Sequence, residues 1–327
     1  MSNHAPLFFR ANGKLLLTAE YAVLDGALAL ALPTQKGQTL HIQHNSDPND
    51  ANFYWASNDE KGNCWLKTAI NPQNFEVIGD LSPEISTLQQ ILSMAIALNA
   101  RFGLAMQGKT ALSALEFPRD WGLGSSSTLI SLVAQWANID PYALAAQTFG
   151  GSGYDIACAT TRQPLLYQLI NNDNNAKEST LANDKMISPC NYMPPFAEQL
   201  YFVHLGRKQN SRQGIRHYQQ LPQDLRLQTA AQITQITQAI LQCTNLSDFE
   251  RLLRQHETLI AQCLQLPTAQ SLYFADYAGV VKSLGAWGGD FVLATAPMAY
   301  TATQVFSYFR AKGFATIVPY KTMVAAE

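Results

Sequence analysis

Apolar residues change their spacing several times along this chain, and each change marks an element. Leu7 to Phe9 and Lys14 to Thr18 predict two short strands split by a turn at Asn12-Gly13. Ala27 to Leu32 is a near-continuous apolar run closed by Pro33. A buried strand and a helical segment both fit it, because periodicity does not separate them. Thr39 to Gln43 alternates as a strand does, and His44 to Asp50 is polar and turn-rich. Phe53 to Ala56, Cys64 to Ala69 and Phe75 to Ile78 predict strands of a sheet with one face to water. Ser82-Pro83-Glu84 then opens a helix, with a Ser cap, Pro in the first turn and an acid beside it. Helical spacing of Ile85, Leu88, Ile91, Leu92, Ala95 and Ile96 carries it to about Phe102. Met106 to Leu115 predicts a strand, Thr128 to Ala137 a helix, and Pro141-Tyr142 a further helix ending near Gly150-Gly151.

Asn171 to Pro195 is a low-complexity stretch rich in Asn, Lys and Asp. It sets the expected domain boundary, with one domain over residues 1–190 and a second over 191–327. Leu200 to Leu205 restarts as a strand. Asp224 to Gln265 is helix-like with a break near Asn245-Leu246-Ser247, and Ser247-Asp248-Phe249-Glu250 fits a capping box. Phe291 to Thr295 and Thr316 to Pro319 predict closing strands. Antiparallel-type strands mixed with helices imply an α+β protein.

Composition narrows the function classes. At about 100–200 residues per domain, 327 residues suggest two domains, and a hydrophobic content of 47% supplies a sizeable core. The formal net charge is -2 and only 14% of residues are charged. A nucleic-acid or anionic-membrane partner would call for a basic excess, so neither is expected. The five cysteines are scattered without CxxC spacing, which suits a reducing compartment. No leader-like or membrane-spanning stretch stands out, so the expectation is a cytoplasmic protein acting on a small molecule.

The candidate chemistry lies in Gly122-Leu123-Gly124-Ser125-Ser126-Ser127, directly before an apolar-periodic helix. A helix N-terminus carries unpaired N–H groups and a partial positive charge. Glycines let backbone approach a polyphosphate closely, and serine hydroxyls can contact phosphate or Mg²⁺. An ordinary loop with a Ser-rich cap fits the same six residues equally well. The run is neither a Walker A sequence nor GxGxxG.

GLGSSS before a helix resembles the second motif of the GHMP kinases, and four other stretches resemble that family's segments in its order. Ala11-Asn12-Gly13-Lys14 with Ala19-Glu20-Tyr21-Ala22-Val23-Leu24 is similar to the first motif. Gly153-Tyr154-Asp155-Ile156-Ala157 resembles the segment carrying the catalytic aspartate, and the GYDIA string itself resembles a bacterial branch of the family. Leu205 to Ser211 resembles the opening of the second domain, and Gly285-Ala286-Trp287-Gly288-Gly289-Asp290 the glycine-rich third motif. Three residues depart from the pattern. Asn12 stands for Pro, Ala19 for Gly, and Trp287 for Gly. A Trp does not readily take φ > 0, so either the loop bends differently there or the ring packs on nucleotide or substrate.

The resemblance implies a two-domain GHMP kinase fold: an N-terminal ribosomal protein S5 domain 2-like part and a C-terminal ferredoxin-like α/β part. It implies ATP and Mg²⁺ as cofactors, a small anionic acceptor such as mevalonate or phosphomevalonate, and a homodimer as the candidate assembly. Asp155 is then the catalytic base or orienting carboxylate, and Lys14 its cationic partner. Gly122, Leu123, Gly124, Ser125, Ser126 and Ser127 hold the nucleotide. Glu20, Tyr21, Arg207, Lys208, Ser211, Gly285, Gly288 and Gly289 face the substrate, with Ser126 and Glu20 on the metal. From the residues alone, Asp155 is as well explained as a helix-start residue, Lys14 and Glu20 as surface charges, and the Arg207-Lys208-Arg212-Arg216 cluster as a solvated face. His204, His217 and His256 suggest no metal spacing. Trp121 is a candidate for adenine contact or for packing. Two alternatives stay open: a non-catalytic nucleotide- or metabolite-binding homologue, and a diphosphomevalonate decarboxylase recognisable by release of carbon dioxide.

Overall fold

The computed structural model describes residues 5–170, 184–207, 211–285, 287 and 289–325, and for residues 211 and 212 only the backbone. Contacts divide the chain into two compact units without a single cut at 190/191. One comprises residues 1–13, 36–119 and 124–160, the other residues 14–35, 120–123 and 161–327.

The first unit is built on a mostly antiparallel sheet with one parallel pairing. β1 (Leu7–Leu16) runs unbroken through Asn12-Gly13, where a turn was expected. Asn12 is buried and accepts a hydrogen bond from Arg10. The apolar run and the alternating segment after it are one strand, β2 (Ala29–His44), with Pro33 inside it. β3 (Phe53–Asn58), β4 (Cys64–Ile70) and β5 (Val77–Ile78) follow as predicted, within a few residues. The first predicted helix is two: α1 (Pro83–Leu98) and α2 (Arg101–Met106), with Asn99 extended between them. Ser82 caps α1 by accepting the Ile85 N–H at 3.2 Å. β6 (Lys109–Leu115), α3 (Ser125–Ala137), α4 (Pro141–Thr148) and α5 (Tyr154–Ala159) complete the unit.

The strand order here is β5-β4-β3-β6-β2, with β1 also paired to β2. Ile85, Leu88, Ile91, Leu92 and Ala95 put the apolar stripe of α1 into a core with Phe53, Trp55, Phe102, Ile130 and Trp136. Each such large side chain contributes about 1.5–3 kcal/mol when fully buried.

In the second unit Ala29–Ala31 of β2 pair with β7 (Leu165–Leu169), which pairs with β8 (Lys185–Pro189). The expected linker over 171–195 therefore contains a strand, while residues 171–183 lie outside the described residues. β9 (Leu200–His204), α6 (Ser211–Gln219), α7 (Gln223–Leu241), α8 (Leu246–Leu264) and α9 (Ala269–Tyr273) come next. Asn245, and not Ser247, caps α8, its side chain accepting the Asp248 N–H at 2.9 Å. β10 (Val281–Ser283), β11 (Phe291–Thr295), α10 (Ala302–Ala311), β12 (Ile317–Pro319) and α11 (Tyr320–Met323) close the chain. The sheet order is β10-β11-β9-β12, all antiparallel. No described helix is long and apolar enough to cross a membrane.

Candidate active site

The cradle residues combine an open helix end with a tethered loop. α3 starts at Ser125, three residues before the expected Thr128. Its N-cap, Gly124, sits at φ 90 and offers no side chain to the first turn. The amides of Ser125, Ser126 and Ser127 therefore have no carbonyl of their own helix to bond. Gly122 is also left-handed, at φ 64. A Cβ on Gly122 would lie 2.1 Å from Asp290 Oδ2, so glycine is required there twice over.

The serines differ. Ser127 is buried and its hydroxyl donates to the Gly124 carbonyl at 2.8 Å, so that hydroxyl is used within the turn. Ser126 is exposed and Ser125 half-buried. Thr128 donates to Gln38 Oε1 at 2.6 Å, pinning the first turn of α3 to β2.

Lys14, from the end of β1, belongs with the first part of the cradle. Its N–H donates to the Leu123 carbonyl at 2.9 Å, and Nζ to the Gly122 carbonyl at 2.8 Å. Trp121, just before, packs edge-to-face on Phe291 with ring centroids 5.4 Å apart. Asp155 lies in the first turn of α5 behind Gly153 at φ 86, and Oδ1 accepts the N–H of Ile156 at 3.0 Å. Lys14 falls in the second unit and Asp155 in the first.

Glu20 is sealed inside the second unit, whereas substrate and metal contact was expected. Its Oε1 is 2.5 Å from Lys282 Nζ, and both side chains have zero exposure. His256 Nε2 is 3.3 Å from Oε2. That nitrogen accepts the Ala19 N–H at 3.0 Å, so a neutral ring carries its proton on Nδ1. Beside them Ser283 Oγ donates to Glu257 Oε2 at 3.1 Å. Glu20 Oε2, Glu257 Oε1 and His256 Nδ1 are buried without a hydrogen-bond partner among the described residues. Burial raises the Glu20 carboxyl above its usual range, against the pull of Lys282. Burial likewise pushes Glu257 up to about 8, and holds His256 well below its usual value, aided by Lys282.

Tyr21 is half-buried, and its hydroxyl accepts the Trp287 N–H at 3.2 Å. Trp287 resolves the departure in the third motif. Its indole is buried and donates to the Pro267 carbonyl at 3.0 Å. The left-handed positions near it fall to Gly285 at φ 63 and Asp290 at φ 47. Gly289 is buried and described, and Gly288 lies outside the described residues.

Arg207 is exposed, lies against the Tyr273 ring and donates to its hydroxyl at 3.1 Å. Its carbonyl accepts the Asp290 N–H at 2.9 Å, which joins the Leu205 segment to the third motif. Lys208 lies outside the described residues, as do the side chains of Ser211 and Arg212. Sequence reasoning missed Lys282, His256 and Glu257.

The residues fit a bound polyphosphate: an open helix N-terminus under a left-handed glycine is a ready anion site. For Mg²⁺, the available oxygens in the cradle are the hydroxyls of Ser125 and Ser126. No group of three His, Cys, Asp or Glu suited to a metal occurs among the described residues. Mg²⁺ in such sites leans on phosphate oxygens and few side chains.

No protein-family model matches the chain, and no curated protein matches it by sequence. Solved structures do. The Lin0012 protein of Listeria innocua is similar over 99% of this chain and 98% of its own, with TM-score 0.73 and 14% identity. Streptococcus pneumoniae phosphomevalonate kinase, solved with phosphomevalonate and AMPPNP, is similar over 95% and 99%, with TM-score 0.67 and 18% identity. Lactococcus lactis galactokinase, solved with galactose, covers 99% and 95%, with TM-score 0.66 and 14% identity. The class that these kinases define is the two-domain α+β GHMP kinase fold, and this chain has that fold over nearly its whole length. Mevalonate kinase structures, including that of L. major at TM-score 0.61 and 16% identity, share it.

Proposed function

We propose that this protein is an ATP-dependent small-molecule kinase that binds the nucleotide's phosphates at Gly122–Ser127. The observation that carries the reading is the uncapped start of α3, where Gly124 at φ 90 leaves three amides open. Support comes from the fold shared with several kinases and from the five ordered motif resemblances. The proposed acceptor is a small anion of the mevalonate or phosphomevalonate type.

Each residue has a proposed part. The α3 amides and the Ser125 and Ser126 hydroxyls bind phosphate oxygens. Ser126 would hold Mg²⁺, whose charge would offset that of the phosphates during transfer. Lys14 holds the Gly122 carbonyl, which keeps that backbone turned and its amides outward. Asp155 accepts the hydrogen bond of an acceptor hydroxyl and orients it for in-line attack. A phosphate acceptor, already anionic, needs cations more than a base, and Arg207 is the described candidate.

A second reading, nucleotide binding without transfer, is favoured by one observation: Glu20, the candidate metal carboxylate, is engaged internally by Lys282. ADP formation by purified protein with ATP–Mg²⁺ and a panel including mevalonate and phosphomevalonate separates the two. Stimulated turnover that Asp155→Ala abolishes supports the kinase. Calorimetric ATP–Mg²⁺ binding with no turnover on any acceptor supports the second reading.

A further inference from the structure

His44 and Lys109 are polar residues on the core-facing side of the first unit's sheet. Side chains alternate along a strand, so His44 shares the face of the buried Leu40 and Ile42 in β2. Lys109, the first residue of β6, shares the face of the buried Ala111 and Ser113. The two stand directly opposite each other in the register of β2 and β6. Leu7 lies two residues before Phe9, which packs on this core, so β1 brings Leu7 to the same face. Pro6, Leu7, Ile42, Gln43, His44 and Lys109 line a cavity of about 690 Å³.

No anion balances Lys109 there. Its Nζ lies 2.7 Å from His44 Nε2 and 3.3 Å from Nδ1, and among the described residues no carboxylate pairs with it. A ring nitrogen that accepts from an ammonium carries no proton, so His44 is neutral in this contact. Asp50, on the loop after β2, is taken by the Tyr54 hydroxyl at 2.7 Å and the Asn52 amide at 3.0 Å. Ala5-Pro6-Leu7 bring no charge. Partial burial therefore holds the Lys109 ammonium below the usual lysine range. A proton acceptor, a weakened ammonium and an apolar space meet at one nitrogen.

We propose that Lys109 is a nucleophilic amine that takes short acyl groups from activated acyl compounds, with His44 as its base and the acyl chain against Leu7 and Ile42. The Lys109 ammonium gives a proton to His44, and the amine adds to the acyl carbonyl carbon. The C–N bond forms as the bond to sulfur of a thioester, or to oxygen of an acyl phosphate, breaks. The leaving group departs with the electron pair, and the second nitrogen proton passes to water. The product is an amide, and no oxidant or reductant takes part. Neither residue is among those proposed for phosphoryl transfer, so the test needs no kinase activity.

The full chain is incubated near neutral pH with acetyl phosphate, butyryl phosphate and the matching N-acetylcysteamine thioesters. Acylation at each lysine is followed by peptide mass spectrometry, with the exposed Lys61 as internal reference. Lys109 is expected to react several-fold faster than Lys61 with at least one donor class, and the faster class identifies the source. The butyryl group carries two more methylenes than acetyl, and each one buried is worth up to about fourfold. The ratio of Lys109 to Lys61 rates should therefore rise from acetyl to butyryl. His44→Gln keeps a hydrogen-bond acceptor but takes no proton, and should bring Lys109 down to the Lys61 rate. Leu7→Ala, at an exposed position, should remove the butyryl advantage and leave the acetyl rate. A Lys109 rate at or below that of Lys61 with both classes would overturn the proposal. So would an unchanged rate in His44→Gln, or a butyryl advantage equal at the two lysines.

Discussion

Two of this protein's left-handed turns meet the cost of that backbone in opposite ways. The cradle places glycine at Gly122 and Gly124, so its φ values of 64 and 90 carry no Cβ penalty. Its amides stay open. The 19–21 turn places Ala19 and Tyr21 in similar conformations and engages the Ala19 amide, the Glu20 carboxylate and the Tyr21 hydroxyl with His256, Lys282 and Trp287. The glycine turn keeps its first-turn amides unspent, the property on which the proposed phosphate binding rests. A turn meant to hold other parts in register tolerates strain, because interior ion pairs and packing enforce it.

The largest effect that would break this comparison is expected at Lys282. Lys282→Met leaves Glu20 buried beside a neutral histidine. Removing one partner of a buried pair typically costs about 3–5 kcal/mol, so denaturant unfolding should show a loss of that order. The double variant Glu20→Gln with Lys282→Met should recover most of it. A single variant as stable as wild type would mean the pair does not hold the turn.

The next effect is on pH dependence. Glu257, facing Lys282, Glu20, Ser283 and His256, is pushed up to about 8 in the folded chain. Unfolded, it titrates near its ordinary value of 4.5. Between these values the folded chain keeps a proton that the unfolded chain releases, so stability falls as pH rises and levels off above about 8. His256, held low, acts in the opposite sense: its contribution is present above 6.5 and is lost as pH falls below it. The window from 6.5 to about 8 therefore isolates the carboxyls. Glu257→Gln should flatten unfolding free energy across that window, and an unaltered slope would place the proton elsewhere.

Gly124→Ala should cost about 1 kcal/mol or more by forcing a side chain to φ 90. It should also weaken ATP binding measured by calorimetry several-fold. Wild-type ATP affinity in this variant would remove the cradle from the nucleotide site. The smallest effect sharpens the contrast: Ala19→Gly relieves a positive φ and should stabilise the protein by up to about 1 kcal/mol, read as a raised thermal midpoint. A lowered midpoint would show that the Ala19 methyl contributes more packing than its backbone costs.

Much of this was legible because it is local. Helical periodicity located α1 and α3, Pro141-Tyr142 located α4, and Ser82 announced the cap of α1, since a cap needs only neighbours in sequence. The Gly122–Ser127 run announced a glycine turn into a helix start for the same reason. Other failures were local too: the Asn12-Gly13 pair looks like a turn, yet it lies inside β1, where the long partner strand β2 outweighs turn propensity. The interior cluster left a fainter trace. His256 and Glu257 fall on the apolar stripe of α8 with Phe249, Leu252, Leu253 and Ile260. Lys282 interrupts the apolar run Val280-Val281-Lys282-Ser283-Leu284. A charged residue at a core position signals a buried partner, but not which one.

The amino-acid sequence by itself determined the α+β class, the starts of α1 and α4 and a glycine-serine turn before a helix, because each depends on residues a few positions apart. Tertiary structure decided what the first and third motifs do. Glu20 and Lys282 are 262 positions apart, as Tyr21 and Trp287 are 266. Only the folded chain brings each pair into contact, the first as a buried ion pair and the second as a hydrogen bond. That same burial seals Glu20 inside the second unit.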